Sequence, residues 1–292
     1  MQAYLRRAAR MPTAPWLHGE IARRMAERLS IVKATPAVVI DWWSAQGGGA
    51  SALRAQYPQA RIEAVEPNEG LAQRSARDAR RAWWSPRRWT QSAMPLWAED
   101  AAPGDARAQL LWSNMMLHWS IDPARLFAQW REAVAVDGFV MFSCFGPDTL
   151  RELRGLYRRL GWTVPCHAFI DMHDLGDAMV HAGFADPVMD MEPLTLTWPD
   201  ASAALAELRT LGGNAAAYRH PGLRTPRWRT RLLAELESAL AGPDGRLQLS
   251  FEIVYGHAFR PLPRVRVAAE TRVSVEALRS LARAGGKSAS DA

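Results

Sequence analysis

The fold is decided by the stretch Ala37-Val38-Val39-Ile40-Asp41, which is soon followed by Gly47-Gly48-Gly49. A short apolar run that ends on an acidic residue is typical of a buried parallel strand. Pro58 ends the helical stretch after the glycines, and Arg61-Ile62-Glu63-Ala64-Val65-Glu66 predicts a second strand. Residues 37–66 therefore predict one strand–turn–helix–strand unit of the usual size.

The alternation of strands and helices continues along the chain. Helical patterns at residues 69–82 and 123–134 separate the apolar runs. Further strands are predicted at residues 110–113, 138–143, 188–196 and 247–255. Such alternation implies a parallel sheet with helices on both faces. The sequence therefore predicts a Rossmann-like, doubly wound α/β fold.

The chain divides by pattern into five segments. Residues 200–245 interrupt the alternation with two helical patterns before the last strand. We interpret this insert as a lid or a platform for a partner, and a packing elaboration is the alternative. The predicted segments are an N-terminal helical segment (1–35), a Rossmann-like core (36–199), the insert (200–245), the final strand (246–265) and a C-terminal tail (266–292).

The charge indicates which partners the protein can attract. The 292 residues carry a net charge of +6, which is almost entirely due to arginine because the only lysines are Lys33 and Lys287. A basic protein attracts nucleic acid, an anionic membrane or an acidic protein. The sequence has no RNA-binding signature. We therefore expect no nucleic-acid partner, and an acidic protein fits well.

The cysteines and the N-terminus indicate the compartment. Cys144 and Cys166 have no metal-ligand spacing, so we expect two free thiols and no metal site. The first residues lack the apolar core of a secretory signal. No apolar run reaches the roughly 18 residues that a membrane span requires. The sequence therefore predicts a cytoplasmic protein without a membrane span.

Acidic residues and glycines coincide at the first strand–helix turn. In open α/β sheets, ligands bind beyond the carboxyl ends of the strands. Asp41 ends the first strand, and Gly47 and Gly48 lie in the turn, where glycine permits close approach to a ligand. Glu66 ends the second strand, where a carboxylate can accept hydrogen bonds from ribose hydroxyls. This pattern favours a nucleotide-type ligand, although such a turn can also be purely structural.

Two longer motifs follow the predicted fourth and fifth strands. They are Leu111-Trp112-Ser113-Asn114-Met115-Met116-Leu117-His118-Trp119 and Phe142-Ser143-Cys144-Phe145-Gly146-Pro147-Asp148-Thr149-Leu150-Arg151-Glu152-Leu153-Arg154. Together with residues 41–49, 65–67, 181–184 and 252–258, they resemble the malonyl-[acyl-carrier-protein] O-methyltransferases of biotin synthesis. That family belongs to the class I S-adenosylmethionine-dependent methyltransferases. The resemblance runs from about residue 5 to residue 262.

The resemblance implies a fold and a cofactor. The fold is a seven-stranded sheet with the last strand antiparallel, preceded by helices and carrying the helical insert. The implied cofactor is S-adenosylmethionine, and Ser92-Ala93 falls where the third strand is expected to end. The residues expected to hold the cofactor are Asp41, Gly47, Gly48, Glu66, Ser92 and Asn114.

The resemblance also implies the reaction, which is methylation of the free carboxylate of a malonyl thioester on acyl carrier protein. A carboxylate is ionised at neutral pH, so no general base is needed and catalysis depends on proximity and orientation. His118 and Trp119 are expected in the substrate pocket, although His118 can equally be a packed, hydrogen-bonded histidine. An arginine is the natural partner of the malonyl carboxylate. The candidates are Arg209, Arg219, Arg224, Arg227 and Arg229.

The sequence departs from the family pattern in the glycine turn. Trp43 and Ala45 stand where the family has its first two glycines, and only Gly47 matches the third. Either Trp43 blocks the methionine end of the cofactor, or the turn has another shape in which Gly48 and Gly49 take over. An acidic residue expected near Thr90 is also missing.

These departures leave two further hypotheses. One is a methyltransferase-like scaffold or assembly factor that no longer methylates. The other is a protein-modifying enzyme, because the motif at residues 113–119 and Asp148-Thr149-Leu150 also resemble an arginine-modifying assembly factor of respiratory complex I.

Overall fold

A computed structural model describes residues 2–81, 94–263 and 276 of the chain. The described residues up to Pro261 belong to one compact unit. Nearly all of the predicted tail (266–292) lies outside the described residues, as do residues 82–93. Within the described residues, no helix is long and apolar enough to cross a membrane.

The described residues form ten helices and seven strands. The helices are α1 (Gln2–Arg10), α2 (Trp16–Leu29), α3 (Ser44–Gly47), α4 (Ala50–Gln56), α5 (Glu69–Arg81), α6 (Pro123–Ala133), α7 (Arg151–Arg159), α8 (Met172–His181), α9 (Ala201–Thr210) and α10 (Pro226–Leu240). The strands are β1 (Val38–Trp42), β2 (Arg61–Glu66), β3 (Leu96–Ala98), β4 (Ala108–Ser113), β5 (Val134–Phe145), β6 (Ala185–Trp198) and β7 (Leu247–Phe259). Short 3-10 helices follow β3 and β4.

The strands form one sheet in the order β3-β2-β1-β4-β5-β7-β6. Neighbouring strands from β3 to β5 are parallel, and β7 runs antiparallel to both β5 and β6. The predicted α/β fold is therefore confirmed, including the antiparallel last strand, the N-terminal helices α1 and α2, and the helical insert of α9 and α10. The strand order reverses between β1 and β4, where a parallel sheet opens a crevice for a ligand.

Alternate residues of each strand supply the cores on the two faces of the sheet. Val39 and Trp112 pack on the face covered by α2, whereas Ile40 and Leu111 pack on the opposite face with α6 and α8. All four side chains are fully buried. Burial on both faces explains why these strands are continuous apolar runs in the sequence.

The third strand differs from the prediction. It is Leu96–Ala98, paired in parallel with residues 64–66 of β2, so the expectation that it ends at Ser92-Ala93 is wrong. Ser92 itself lies outside the described residues. The strand lies directly after Pro95, in a short apolar segment.

Candidate functional site

The turn after β1 contains a tryptophan in a conformation that favours glycine. Trp43 has φ 60° and ψ 47°, which is the left-handed region, and its side chain is buried. Left-handed backbone costs a residue with a Cβ about 1–2 kcal/mol. The first glycine position of the expected pattern therefore has a glycine-like backbone here, although the residue is tryptophan.

Two other residues of the turn require glycine for different reasons. Gly48 has φ 68°, so a side chain there would be strained. A Cβ at Gly47 would lie 3.1 Å from the carbonyl oxygen of Asn114, so Gly47 allows the turn to approach the end of β4 closely. Gly47 and Gly48 thus shape the turn.

Glu66 places a buried carboxyl group at the end of β2. Its Oε1 accepts hydrogen bonds from the backbone N–H of Ala45, at 2.7 Å, and from the Ser75 hydroxyl. Its Oε2 has no hydrogen-bond partner in the described part of the chain. Burial raises the pKa of Glu66 to about 8. A ligand hydroxyl that donated to Oε2 would stabilise the ionised form.

Asp41 places a second buried carboxyl group at the end of β1. Its Oδ2 accepts a hydrogen bond from the Ser44 hydroxyl at 2.6 Å, while Oδ1 has no partner among the described residues. Burial raises the pKa of Asp41 to about 6. Two neighbouring strands therefore end on carboxyl groups that each retain one unused acceptor.

Glu66 lines a cleft of about 760 Å³ at the carboxyl ends of the strands, which we call the Glu66 cleft. This volume lies in the usual range for small-molecule sites, about 300–1,000 Å³. Trp43 lines the same cleft, whereas Asp41, Gly47 and Asn114 do not. An acidic pair that the sequence reading missed, Glu99 and Asp100, also lines the cleft just after β3. Their position directly after a short apolar run is the signal that could have found them.

Asn114 connects three parts of the site without facing the cleft. Its Nδ2 donates to the carbonyl oxygens of His18, at 2.7 Å, and Gly47, and its Oδ1 accepts from the Ser143 hydroxyl at 2.8 Å. The side chain is fully buried. Its polar atoms are thus committed to α2, the glycine turn and β5, which makes Asn114 a positioning residue for the turn.

A second cavity, of about 190 Å³, lies beside the 3-10 helix Leu117–Trp119, and we call it the His118 cavity. His118 and Trp119, the two residues that we expect in a substrate pocket, both line this cavity. The Nδ1 of His118 accepts a hydrogen bond from the backbone N–H of Phe145 at 3.3 Å, so the proton of the neutral ring lies on Nε2. Burial holds the pKa of His118 well below its ordinary value, and the ring is neutral.

Residues of the insert also line the His118 cavity. Within the part of the chain that the structure describes, Arg209 is the only one of the five candidate arginines that lines the cavity. Most of the remaining lining is apolar or aromatic, and it comes mainly from α7, α9 and the loop before α8. The lining residues include Leu153, Tyr157, Phe169, Leu205, Leu208 and Phe251.

Helix α1 lies between the two cavities, and sequence reasoning missed this. Tyr4 stacks on Trp119, while the next residue, Leu5, lines the Glu66 cleft. Arg74 holds the end of this helix, because its buried guanidinium donates to the carbonyl oxygen of Ala8 at 2.9 Å and to that of Ala45 in the glycine turn. The N-terminal segment is thus part of the site.

Comparisons with known proteins identify the relatives of this chain. The model of a methyltransferase domain family matches residues 14–186. A malonyl-[acyl-carrier protein] O-methyltransferase of Gallionella capsiferriformans is 37% identical over 267 residues, which cover 90% of this chain and 91% of the relative. One of the same name from Laribacter hongkongensis is 37% identical and covers 89% of this chain and 88% of its own.

Solved structures show the fold. The YcgJ protein of Bacillus subtilis has a TM-score of 0.56 at 9% identity and covers 82% of this chain and 98% of its own. A putative methyltransferase of Bacillus halodurans has a TM-score of 0.55 at 12% identity and covers 81% of this chain and 98% of its own. From the family model and the two curated relatives, this chain belongs to the malonyl-[acyl-carrier protein] O-methyltransferase family.

Proposed function

We propose that this protein transfers a methyl group from S-adenosylmethionine to the free carboxylate of a malonyl thioester carried on acyl carrier protein. The observation that supports this most directly is the buried Glu66, whose Oε2 has no partner among the described residues, in a cleft sized for a nucleotide. The ester product would be the precursor that enters biotin synthesis, and the proposal includes a cytoplasmic location.

The Glu66 cleft fits the cofactor by the chemistry of its acceptors. When bound, S-adenosylmethionine supplies an electrophilic methyl group on a sulfonium centre. Glu66 would accept hydrogen bonds from the ribose hydroxyls, as acidic residues at this place in doubly wound folds do. Asp41 supports the turn through Ser44 and leaves its Oδ1 available. Ser92 and Asn114 remain predictions for this site, Asn114 through its hold on the turn.

The His118 cavity would hold the malonyl group. Arg209 at its wall is the natural partner of the substrate carboxylate, since guanidinium and carboxylate pair in two parallel hydrogen bonds. The carboxylate needs no activation, so the task of these residues is to orient it.

Trp43 is the structural observation that most favours the alternative, a scaffold without activity, which the departure at Ala45 also supports. Its indole lines the Glu66 cleft, where the cofactor would bind. The two hypotheses differ in whether the folded protein binds the cofactor at all.

The test is calorimetric titration with S-adenosylmethionine and S-adenosylhomocysteine, followed by a methylation assay on malonyl-carrier protein read by mass spectrometry. We expect micromolar binding in the wild type and a loss of about tenfold or more in Glu66→Ala. Glu63→Gln is the matched control, because Glu63 is buried in the same strand but bonds Arg107 at 2.7 Å and Trp97 at 2.8 Å. Folded wild-type protein that binds neither compound would overturn the enzyme proposal.

A further inference from the structure

The link between α9 and α10 lines the His118 cavity and reaches the protein surface there, since Asn214 is exposed. Leu211, Gly213 and Asn214 line the cavity, and the Asn214 Nδ2 donates to the carbonyl oxygen of Val164 at 2.6 Å. Residues just after Val164, from Pro165 to His167, line the cavity as well. A substrate arm entering here would therefore pass the surface formed by residues 214–229.

This surface has only one sign of charge. Residues 208–234 contain six arginines and no aspartate or glutamate. Among the described residues, only one of the six forms an ion pair, Arg231 with Glu235 at 3.6 Å. The other five are Arg209, Arg219, Arg224, Arg227 and Arg229. The surface thus carries a concentration of cations for which the described part of the chain supplies only one ion-pair partner.

Two of these arginines lie near the N-terminus of α10, where a positive charge destabilises a helix. Arg227 and Arg229 lie in its first turns, and its first turn contains no acidic residue. Cations at a helix N-terminus oppose the helix dipole, typically by about 0.3–1 kcal/mol each. Local helix stability therefore does not account for these arginines, whereas an anionic partner does.

Two apolar side chains stand out from the same link. Leu223 is 98% exposed and Tyr218 is 87% exposed. Beside Leu223, the Arg224 guanidinium lies 4.3 Å from the centre of the Trp228 ring and donates to the Thr163 hydroxyl at 3.2 Å. Exposed apolar side chains within a charged rim are characteristic of protein interfaces.

We propose that Tyr218, Leu223, Arg219, Arg224, Arg227 and Arg229 form a docking surface, here called the mouth patch, for an acidic carrier protein. The proposal rests on the proposed function, which supplies the tethered substrate. The arginines attract and orient the carrier, Tyr218 and Leu223 contact it, and its arm enters the His118 cavity beside Asn214. The five candidate arginines then have two different roles. Arg209 faces the malonyl carboxylate, and the carrier is contacted by Arg219, Arg224, Arg227 and Arg229.

The test measures binding to the carrier separately from methyl transfer. A fluorescently labelled bacterial acyl carrier protein in its holo form is titrated with Arg219→Glu/Arg227→Glu, and its anisotropy is followed. We expect the Kd to rise by about tenfold or more and wild-type binding to weaken as ionic strength rises. Leu223→Ser should also weaken binding without lowering the Tm, because Leu223 is almost fully exposed.

The matched control is Lys33→Glu/Arg61→Glu, which makes the same change in net charge. Lys33 and Arg61 are exposed residues before and at the start of strands, at the amino edge of the sheet. Because Arg61 pairs with the buried Glu63 at 3.2 Å, the Tm of this control is measured to show that it is folded. An equal loss of binding in this control, or unchanged binding in Arg219→Glu/Arg227→Glu, would overturn the mouth patch.

A second substrate distinguishes failure of this inference from failure of the proposed function. Malonyl-pantetheine has the same carboxylate and thioester but no carrier protein. We expect the mouth-patch variants to lose kcat/KM on malonyl-carrier protein and to keep it on malonyl-pantetheine. Equal losses on both substrates would overturn the docking role. A wild type that methylates neither substrate would overturn the proposed function. In that case the anisotropy measurement alone would decide whether the docking surface exists.

Discussion

The ring of Tyr4 stacks on the indole of Trp119, with ring centroids 3.8 Å apart and planes inclined by 9°. The two residues are far apart in the sequence, since Tyr4 lies in α1 and Trp119 follows β4. A Cβ at Gly212, at the end of α9, would collide with both rings, so the insert also closes on this pair. The N-terminal helix and the insert therefore meet at one aromatic pair between the Glu66 cleft and the His118 cavity.

Replacing Tyr4 tests whether this pair seals the site. Tyr4→Ala removes a buried aromatic ring and should destabilise the protein by about 3 kcal/mol. We expect kcat for malonyl-carrier protein to fall with it, because water would enter between the cavities. Tyr4→Phe keeps the stack and should retain both stability and activity. Urea unfolding and initial rates measure the two effects, and full activity of folded Tyr4→Ala would contradict a sealing role.

The raised pKa of Glu66 predicts a pH-dependent stability. Burial raises this pKa from an ordinary 4.5 to about 8, so the folded state holds a proton that the unfolded state releases. This contribution is complete below pH 4.5 and is lost as the pH rises towards 8. Asp41, whose pKa is raised to about 6, acts in the same direction at lower pH. Unfolding free energies of the unliganded protein should therefore fall by on the order of 4 kcal/mol between pH 5 and 8.

Glu66→Gln is the variant that isolates this effect. An amide does not ionise, so we expect most of the loss of stability above pH 6 to disappear, as measured by urea unfolding across the pH range. Glu63→Gln serves as the control for replacing a buried carboxyl group of the same strand with an amide. A Glu66→Gln protein with the same slope as the wild type would show that another group is responsible.

Trp43→Gly tests which of the two interpretations of the turn is correct. The change removes a buried indole, at a cost of about 3–5 kcal/mol, and relieves about 1–2 kcal/mol of left-handed strain. We expect a net loss of about 2 kcal/mol in stability and tighter binding of S-adenosylmethionine, because the indole no longer narrows the Glu66 cleft. Trp43→Phe controls for the loss of aromatic surface. Weaker binding by Trp43→Gly would instead show that the indole packs against the cofactor.

The sequence could predict those residues of the site that lie at the carboxyl ends of strands. Asp41 and Glu66 follow apolar runs long enough to identify β1 and β2, and parallel strands place their carboxyl ends at one edge. The third strand has only three residues, Leu96–Ala98, which is too short for a periodic pattern. The contact of Tyr4 with Trp119 could not be predicted, because periodicity gives the apolar face of α1 but not the surface against which it packs.

His118 shows how a residue correctly placed by sequence acquires its chemical state only from the fold. Phe145 N–H bonds its Nδ1, and burial, aided by nearby His167 and His18, holds its pKa well below the ordinary value. We therefore expect the ring to remain neutral, with its proton on Nε2, throughout about pH 6 to 8.

Nuclear magnetic resonance of ¹⁵N-labelled histidine measures this directly in the folded protein. His118 should show no titration near neutral pH. His118→Leu should cost about 1–3 kcal/mol, because the buried N–H of Phe145 loses its acceptor. His118→Asn retains an acceptor near Nδ1 and should recover most of that stability. A His118 titration midpoint near neutral pH would contradict the neutral ring and would make the His118 cavity a pH-dependent site.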